Sequence, residues 1–330
     1  MYKYAIRLKG LRKMLEKCGV PSFLERQFAK SVCEGLLVHS AGTGCSGKKH
    51  FFKMPLIFLE GVMKKLLKAG IASFLIAVSG MAFAGGGKES EKPLIQDGVL
   101  KIGMEVGYPP FEYFDKDGKT PIGFDVELGK AVAEKLGLKP EFIDTAWDGI
   151  FAGVDTKKYD CIMSAVTITE ERKAKYGFAG PYIGNGQSIV ILKDSTLGIK
   201  SPEDCKGLRV GYQAETTSDI FMTKKAEGGL KFEACEYDKV MNAFDDLRLG
   251  RCDAVCADSL VSVDYVAKED SPFVIVWQGV PDEFFGVCLK KDNAELQKML
   301  SKAIAELFKE GKIKEISMKI FNMDMVSNIQ

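Results

Sequence analysis

Ser164-Ala-Val-Thr-Ile-Thr-Glu-Glu-Arg172 is the stretch that decides the fold, and a short apolar run, Cys161-Ile-Met163, leads directly into it. The run predicts a strand. Thr167-Ile-Thr-Glu170 has the spacing of a capping box, so a helix should begin near Thr169. Such a strand, loop and helix gather backbone N–H groups, hydroxyls and the guanidinium of Arg172, which together suit a carboxylate. Taken alone, the stretch is more typical of a surface turn with a solvated arginine, and the rest of the chain changes that balance.

Charge is distributed unevenly along the 330 residues, whose 46 basic and 45 acidic side chains give a formal net charge of +1. The first 84 residues hold 14 basic and 4 acidic residues, which leaves 32 and 41 for residues 85–330. The body is therefore acidic, and without a basic stripe it argues against a nucleic-acid partner. A chain of this length that is 46% apolar can bury one large core or two medium ones.

A secretory signal peptide is predicted at residues 63–84. Met63-Lys-Lys-Leu-Leu-Lys68 is a basic start, residues 69–78 are a short apolar core, and Ala82-Phe-Ala84 is a small-x-small cleavage site. A membrane anchor is the alternative, but the apolar run is short and broken by glycine and serine. We expect cleavage after Ala84 and a periplasmic mature protein, with no lipid anchor because no cysteine follows the cut.

Residues 1–62 precede the predicted signal peptide, although a signal peptide normally stands first in its chain. They contain both histidines, three of the nine cysteines and no clear periodic pattern. We interpret them as a mis-assigned upstream extension, with Met63 as the natural start; an extra cytoplasmic segment is the alternative. Residues 85–96 are polar and rich in glycine, which predicts a flexible leader.

The mature body, residues 85–330, has six cysteines and no histidine. An even count in an exported protein permits disulfides without revealing their connectivity. Cys252 and Cys256 lie four residues apart along one predicted strand, too far to pair with each other and without a zinc-site spacing. We therefore interpret most of the six as core thiols. The sequence predicts no metal site, no cofactor and no catalytic residue.

Strands and helices alternate along the body in two similar units. Asp125, Asp238 and Asn293 are predicted to cap helices, and the last helix is predicted to end at Gly311. Such alternation predicts an α/β architecture with parallel sheets, whose ligands bind beyond the carboxyl ends of the strands. Each unit places a hydroxyl-rich loop at such an end. Two units joined by two crossings of the chain would therefore face each other across a cleft.

The body resembles the polar amino-acid binding proteins of ATP-driven importers, solute-binding protein family 3, over residues 97–325. Five segments in the same order carry the resemblance: Ile102-Gly-Met-Glu-Val-Gly-Tyr-Pro-Pro-Phe111, Gly123-Phe-Asp-Val126, the Ser164 stretch, Val210-Gly-Tyr-Gln-Ala-Glu-Thr-Thr217 and Gly250-Arg-Cys-Asp-Ala-Val-Cys-Ala-Asp258. It implies a two-lobed type II periplasmic binding fold with two parallel-dominated sheets joined by two hinge strands. Lobe 1 is expected at residues 97–184 and 282–330, and lobe 2 at residues 185–281.

The resemblance also implies ligand-binding roles. Arg172 resembles the family's carboxylate-binding arginine, which Thr167 and an N–H of Thr217 from the opposite lobe would assist. Asp258 is similar to the acceptor of the α-ammonium, with a carbonyl near Ser164 as a second acceptor. The other implied positions are Tyr108 and Trp147, which would sandwich the ligand side chain, and Glu105, Ala165, Gln213 and Thr216 around it.

The choice of amino acid stays open between two classes. Glu105 beside aromatic residues suits a cationic tip, which favours arginine, lysine, ornithine or histidine. Ala165, where basic-amino-acid binders similar to this chain often carry serine, weakens this preference. The cysteine pair usual in some basic-amino-acid binders is absent from the matching region of the first lobe, so we do not expect that disulfide. If Glu105 instead bonds within its own lobe, cystine or a glutamine-type ligand is the alternative.

Other functions use the same scaffold. A periplasmic cyclohexadienyl (prephenate or arogenate) dehydratase would need an acid–base pair, in which Glu105 could serve. The presence of both Arg172 and Asp258, the implied partners of the two charged ends of an amino acid, favours binding without catalysis. Alternatively, Asp258 is only the cap of the helix that follows it. A receptor sensor or a peptidoglycan lyase would need a further segment after the body. We expect a monomer that captures a free amino acid by lobe closure and delivers it to the permease of an ABC transporter.

Overall fold

The computed structural model describes residues 92–327 and 329. The predicted upstream extension, the signal peptide and residues 85–91 of the predicted leader lie outside the described residues. The last part of that leader contacts the body, because the N–H of Ile95 donates to Asp160 at 2.7 Å and the Asn293 amide donates to the carbonyl of Pro93 at 2.9 Å. Among the described residues, no helix has the length and apolar character needed to cross a membrane.

The elements alternate as the sequence pattern predicts. The strands are β1 (Val99–Met104), β2 (Tyr113–Phe114), β3 (Pro121–Ile122), β4 (Lys139–Asp144), β5 (Cys161–Ile162), β6 (Tyr176–Asn185), β7 (Gln187–Leu192), β8 (Arg209–Gln213), β9 (Glu233–Tyr237), β10 (Ala254–Asp258), β11 (Phe273–Gln278) and β12 (Glu283–Lys290). The α-helices are α1 (Phe124–Lys135), α2 (Trp147–Asp155), α3 (Glu170–Lys175), α4 (Thr217–Glu227), α5 (Val240–Arg248), α6 (Ser259–Ala267), α7 (Ala294–Lys309) and α8 (Lys312–Phe321).

Two five-stranded sheets form two lobes, with strand order β4-β1-β5-β12-β6 in lobe 1 and β11-β7-β10-β8-β9 in lobe 2. In lobe 1, β1 pairs in parallel with β4 and β5; in lobe 2, β8 pairs in parallel with β9 and β10. The other pairings are antiparallel and involve β6, β7, β11 and β12. Parallel pairings thus make up half of each sheet rather than most of it. The predicted two-lobed type II α/β fold is confirmed.

Two chain connections join the lobes side by side. The first runs from β6 through Gly186 into β7, and the second runs from β11 through residues 279–282 into β12, where Glu283 pairs with Asn185. A Cβ atom on Gly186 would lie 2.5 Å from the carbonyl oxygen of Val280, so only glycine lets the two connections approach this closely. The predicted lobe boundaries fall within this hinge region and stay a prediction.

Both faces of the lobe 1 sheet are covered by helices. Ile102 of β1 packs in one apolar cluster with Val132 of α1 and Leu300 of α7, while Ile162 of β5 packs in another with Ile150 of α2. This arrangement aims the loops that follow β1 and β5 at the space between the lobes. Five of the six described cysteines are buried and all six are free thiols, in agreement with their interpretation as core residues.

Two helix starts differ from the sequence-based expectation. Helix α1 begins after Gly123, and Asp125 is buried rather than capping it. Helix α5 begins after Lys239 and not after Asp238. Helix α7 ends just before Gly311, as predicted, but it is not the last helix, because α8 begins after Gly311, whose φ is 75°. The cap at Asn293 is confirmed, because its side chain accepts the N–H of Leu296.

Candidate functional site

A cavity of about 290 Å³ lies between the lobes, next to the ends of β1, β5, β8 and β10. All the residues predicted from the sequence to bind a ligand line it, together with one that the sequence analysis missed, Glu112. The lining residues are Glu105, Tyr108, Glu112, Trp147, Ser164, Ala165, Thr167, Arg172, Gln213, Thr216, Thr217 and Asp258. Their individual roles towards a ligand stay predictions, but the structure brings them to one place.

The first turn of α3 presents Arg172 to this cavity. Helix α3 begins after Thr169, as predicted, but Thr169 rather than Thr167 is the cap, since its hydroxyl accepts the N–H of Arg172 at 3.1 Å. Thr167 is thereby left to face the opposite lobe, where its hydroxyl lies 3.3 Å from that of Thr217. The Arg172 guanidinium donates to the carbonyl of Thr167 at 3.0 Å and lies 5.4 Å from the ring centre of Trp147.

These contacts hold the Arg172 guanidinium in one orientation and largely remove it from water. Burial lowers the pKa of Arg172, and the charges of Asp258 and Glu283 partly oppose that shift. The solvated surface arginine that the isolated stretch allowed is therefore not what the structure contains. A half-buried guanidinium held in this position suits a carboxylate partner.

The start of α4 supplies a second donor group from lobe 2. Thr216 is its cap: the Thr216 hydroxyl accepts from Asp219 and donates to the carbonyl of Gln213 at 2.7 Å. Thr217 is the first residue of the helix, and the first N–H groups of an α-helix have no carbonyl partner within it. The N–H of Thr217 is therefore directed outward at a point where the helix favours negative charge.

Asp258 forms an acidic centre on the lobe 2 side. It precedes α6 but makes no side-chain capping bond, so the simple-cap alternative does not describe it. Its carboxylate instead accepts from the Tyr108 hydroxyl at 2.5 Å, from Asn185 at 2.8 Å and from Gln187 at 3.0 Å. Burial, followed by the charge of Glu283, raises the pKa of Asp258 to about 7. Arg172 and Asp258 thus line one cavity from opposite lobes.

A second acidic region lies around Glu105 and Glu112. The Ser164 hydroxyl accepts the N–H of Glu105 at 3.0 Å and donates to the Glu112 carboxyl group at 2.7 Å. The side-chain amide of Gln213, which belongs to lobe 2, donates a hydrogen bond to the Glu105 carboxyl group at 2.7 Å. One oxygen of each of these three side chains, Glu105, Glu112 and Gln213, is buried without a hydrogen-bond partner among the described residues.

Burial governs the titration of these acids. It raises the pKa of Glu105, although the hydrogen bond from Gln213 and the charge of Lys239 act in the other direction. Burial also raises the pKa of Glu112 well above its ordinary value, and the neighbouring charge of Asp125 adds to the effect. Unpartnered acceptors in a region that penalises negative charge indicate a ligand group with several N–H donors and positive charge.

Asp125 supports the loop between β5 and α3 through buried hydrogen bonds. Its carboxylate accepts the N–H of Ala165 at 2.7 Å and the hydroxyl of Tyr182 at 2.8 Å. Ala165 has a left-handed φ of 47°, a conformation that a residue other than glycine adopts only when its surroundings hold it there. Burial raises the pKa of Asp125 to about 7. Asp125 is thus the residue that holds the turn between β5 and α3.

Four polar residues at or beside the cavity were not singled out from the sequence: Glu112, Asn185, Gln187 and Glu283. The sequence held one indication of a role for Glu112: it is a lone acid between Phe111 and Tyr113, shortly after two prolines. The other three lie at the ends of the strands that connect the lobes. A polar residue at the end of an apolar strand is common in any α/β protein, so the sequence did not mark these three as functional. Among the described residues, no group of three or more potential ligands is arranged to hold a metal ion.

Comparisons with known proteins agree on one family. The sequence model of bacterial extracellular solute-binding proteins, family 3, matches residues 100–323. The L-cystine-binding protein TcyJ of Escherichia coli K12 is 34% identical over 267 residues, which cover 81% of this chain and 96% of TcyJ.

Solved structures give the same answer. An ancestral arginine-binding protein bound to arginine is 38% identical, with a TM-score of 0.65 over 68% of this chain and 98% of its own. The ancestral amino acid-binding protein AncCDT-1, described as a precursor of cyclohexadienyl dehydratase, is 35% identical with a TM-score of 0.62, over 68% of this chain and 96% of its own. The chain therefore belongs to the bacterial extracellular solute-binding proteins, family 3.

Proposed function

We propose that this protein binds a cationic L-amino acid, with arginine the best fit, and delivers it to the membrane permease of an ABC importer. The observation that carries the proposal is the distribution of charge around the cavity. One half-buried guanidinium, Arg172, shares the cavity with three carboxyl groups, those of Glu105, Glu112 and Asp258. Burial raises the pKa of all three carboxyl groups, so a ligand that carries more positive than negative charge would stabilise their ionised forms.

The backbone end of an amino acid fits the region between the lobes. A zwitterion that leaves water needs a fixed partner at each charged end. Arg172, with the N–H of Thr217, suits the α-carboxylate, and Asp258 suits the α-ammonium. Because these partners come from both lobes, the ligand would stabilise the closed arrangement through contacts that an open arrangement lacks.

The side-chain end distinguishes the candidate ligands. A guanidinium has five N–H donors in a rigid plane, and Glu105, Glu112 and Gln213 each have one oxygen without a partner. A lysine or ornithine ammonium has three donors at one point and would satisfy fewer of them. Cystine, the ligand in the name of the TcyJ relative, would bring a second ammonium together with a second carboxylate to this acidic region, and that carboxylate would meet like-charge repulsion that a guanidinium avoids.

Size and family support a free amino acid rather than a peptide. The cavity is small and is lined by a few aromatic side chains and several polar ones, which suits a single free amino acid. Family membership and the amino-acid-binding relatives support both the ligand class and an ABC transporter as partner. With the predicted signal peptide, they also support a periplasmic location.

Calorimetric titration of the purified protein tests the proposal. The panel contains arginine, lysine, ornithine, histidine, glutamine and cystine, with citrulline as the uncharged analogue of arginine. We expect arginine to bind most tightly and citrulline at least about 30-fold more weakly, which corresponds to about 2 kcal/mol. Tighter binding of cystine or glutamine would overturn the ligand class. Dehydration of prephenate by the protein would replace binding with catalysis and make Glu112, whose pKa burial raises well above its ordinary value, the first candidate acid.

A further inference from the structure

Glu283 lies outside the predicted ligand-binding residues yet bonds to several of them. It is the first residue of β12, in the second connection between the lobes, and it is only partly exposed. One carboxylate oxygen accepts from the Thr217 hydroxyl at 2.9 Å and from the Thr167 hydroxyl at 3.3 Å. The other oxygen accepts from the Gln187 amide at 2.9 Å.

These bonds join three parts of the molecule that would separate if the lobes opened about the hinge. Thr167 belongs to the lobe 1 loop before α3, Thr217 begins α4 of lobe 2, and Glu283 belongs to the hinge. The two threonine hydroxyls, 3.3 Å apart, can reach one carboxylate oxygen together only while the lobes are closed. We propose that Glu283 is a closure latch, a positioning residue in the hinge that holds the two lobes of this binding protein together.

The latch also determines which donors remain for a ligand. A hydroxyl has a single proton, so a threonine that donates to Glu283 cannot also donate to a ligand carboxylate. The backbone N–H groups and the guanidinium of Arg172 are the donors left for that carboxylate. Glu283 therefore takes up the hydroxyl donors without occupying the donors on which the proposed carboxylate grip depends.

A hydrogen-bonded link runs from the latch to the proposed ammonium acceptor. The Gln187 amide that donates to Glu283 also donates to Asp258 at 3.0 Å, and the Gln187 carbonyl oxygen accepts from the Ser218 hydroxyl at 2.7 Å. The two carboxylates thus share one amide group. Release of Glu283 would free Gln187 and loosen the support of Asp258, so the latch affects both ends of the proposed zwitterion site.

The test measures lobe closure without any ligand, and only its second readout rests on the proposed function. Fluorescent dyes on unnatural amino acids at exposed Lys119 and Glu227 report the distance between the lobes in single molecules. We expect Glu283→Ala to lower the closed-to-open ratio about 10- to 100-fold, because charge-assisted hydrogen bonds are lost. Glu283→Gln, whose amide oxygen still accepts, should fall between wild type and Glu283→Ala.

Two further variants separate a latch from a structural role. Asp282→Asn removes the adjacent, exposed acid and should leave the ratio unchanged. In a Thr217→Val background, Glu283→Ala should have a markedly smaller effect, since one bond of the latch is already absent. If wild type shows no more closed population than Glu283→Ala, or if the effect is undiminished in Thr217→Val, the latch is wrong.

The second readout is the release rate of bound arginine, which we expect to rise about 10- to 100-fold in Glu283→Ala. A release rate equal to that of Asp282→Asn would overturn the latch in the liganded protein. If no amino acid binds to the wild type, the proposed function fails, while the closure measurement still decides on the latch.

Discussion

Glu105→Gln is the substitution that most directly tests how the cavity selects its ligand. The glutamine keeps the length and shape of the side chain and removes one negative charge from a residue that is only 3% exposed. Two unit charges about 4 Å apart attract by about 4 kcal/mol at an effective dielectric constant near 20. The free energy needed to ionise Glu105 offsets part of this attraction, since burial raises the pKa of Glu105. We therefore expect a net loss of about 2–3 kcal/mol for arginine, or roughly 30- to 150-fold in affinity.

The assay compares arginine with citrulline by calorimetry at one pH. Citrulline has the same backbone end and nearly the same shape, but its side chain is uncharged. The interactions of its ammonium and carboxylate are unchanged by Glu105→Gln, so we expect citrulline affinity to change by less than about threefold. Glu141→Gln, at an exposed acid of the same lobe, is the matched control and should change neither affinity.

Two results would refute this reasoning. An equal loss of arginine and citrulline affinity would mean that Glu105 supports the cavity through its bond with Gln213 and does not recognise charge. An arginine affinity that is unchanged in Glu105→Gln would mean that the ligand side chain does not approach this carboxylate, and the cationic preference would lose its basis.

The other predictions concern the two ends of the site and its pH dependence. Arg172→Ala should weaken amino-acid binding by about 2–5 kcal/mol, and Arg172→Lys by less, because lysine keeps the charge without the planar fork. If calorimetric titration of Arg172→Ala gave an affinity within threefold of wild type, the carboxylate role would be refuted. Asp258→Asn should weaken arginine binding at least about 30-fold but leave 5-guanidinovalerate, which lacks the α-ammonium, little affected in a competition assay; equal losses would refute the ammonium role. Asp125 has its pKa raised from 3.8 to about 7 in the folded protein, so the folded chain holds a proton there that the unfolded chain has released. The free energy of unfolding should therefore fall as pH rises from about 4 to 7, by about 1.4 kcal/mol per pH unit for this group, and Asp125→Asn should flatten the slope in chemical denaturation; a slope equal to wild type would contradict it.

Much of the site could be predicted from sequence because its residues lie in short segments at the ends of strands. The family's spacing within Ser164–Arg172 and Val210–Thr217 specifies which residue follows each strand. Once the strands are parallel neighbours, their ends meet at one edge of the sheet. The cavity lining agrees with this logic, since every predicted residue lies on it.

The misses have a common physical cause. Asp125 has the local appearance of a helix cap, but its hydrogen-bond partner Ala165 lies 40 residues away. Glu283 and Thr167 are 116 residues apart and come together only across the hinge. Local patterns cannot distinguish a side chain that bonds to its own helix from one that bonds to a distant loop, because both choices satisfy the same local rules.

By itself, the sequence determined the α/β alternation, the start of α3 after Thr169 and the cap at Asn293, and its resemblance to a known family implied all the residues that line the cavity except Glu112. These depend on hydrophobic periodicity, capping and segment spacing, which act over a few residues. Only the tertiary structure decided that Asp258 accepts three hydrogen bonds instead of capping its helix, that Glu112 joins the acidic region, and that Glu283 links both lobes. A buried polar group must find partners wherever the fold brings them, and the packing of distant segments supplies those partners.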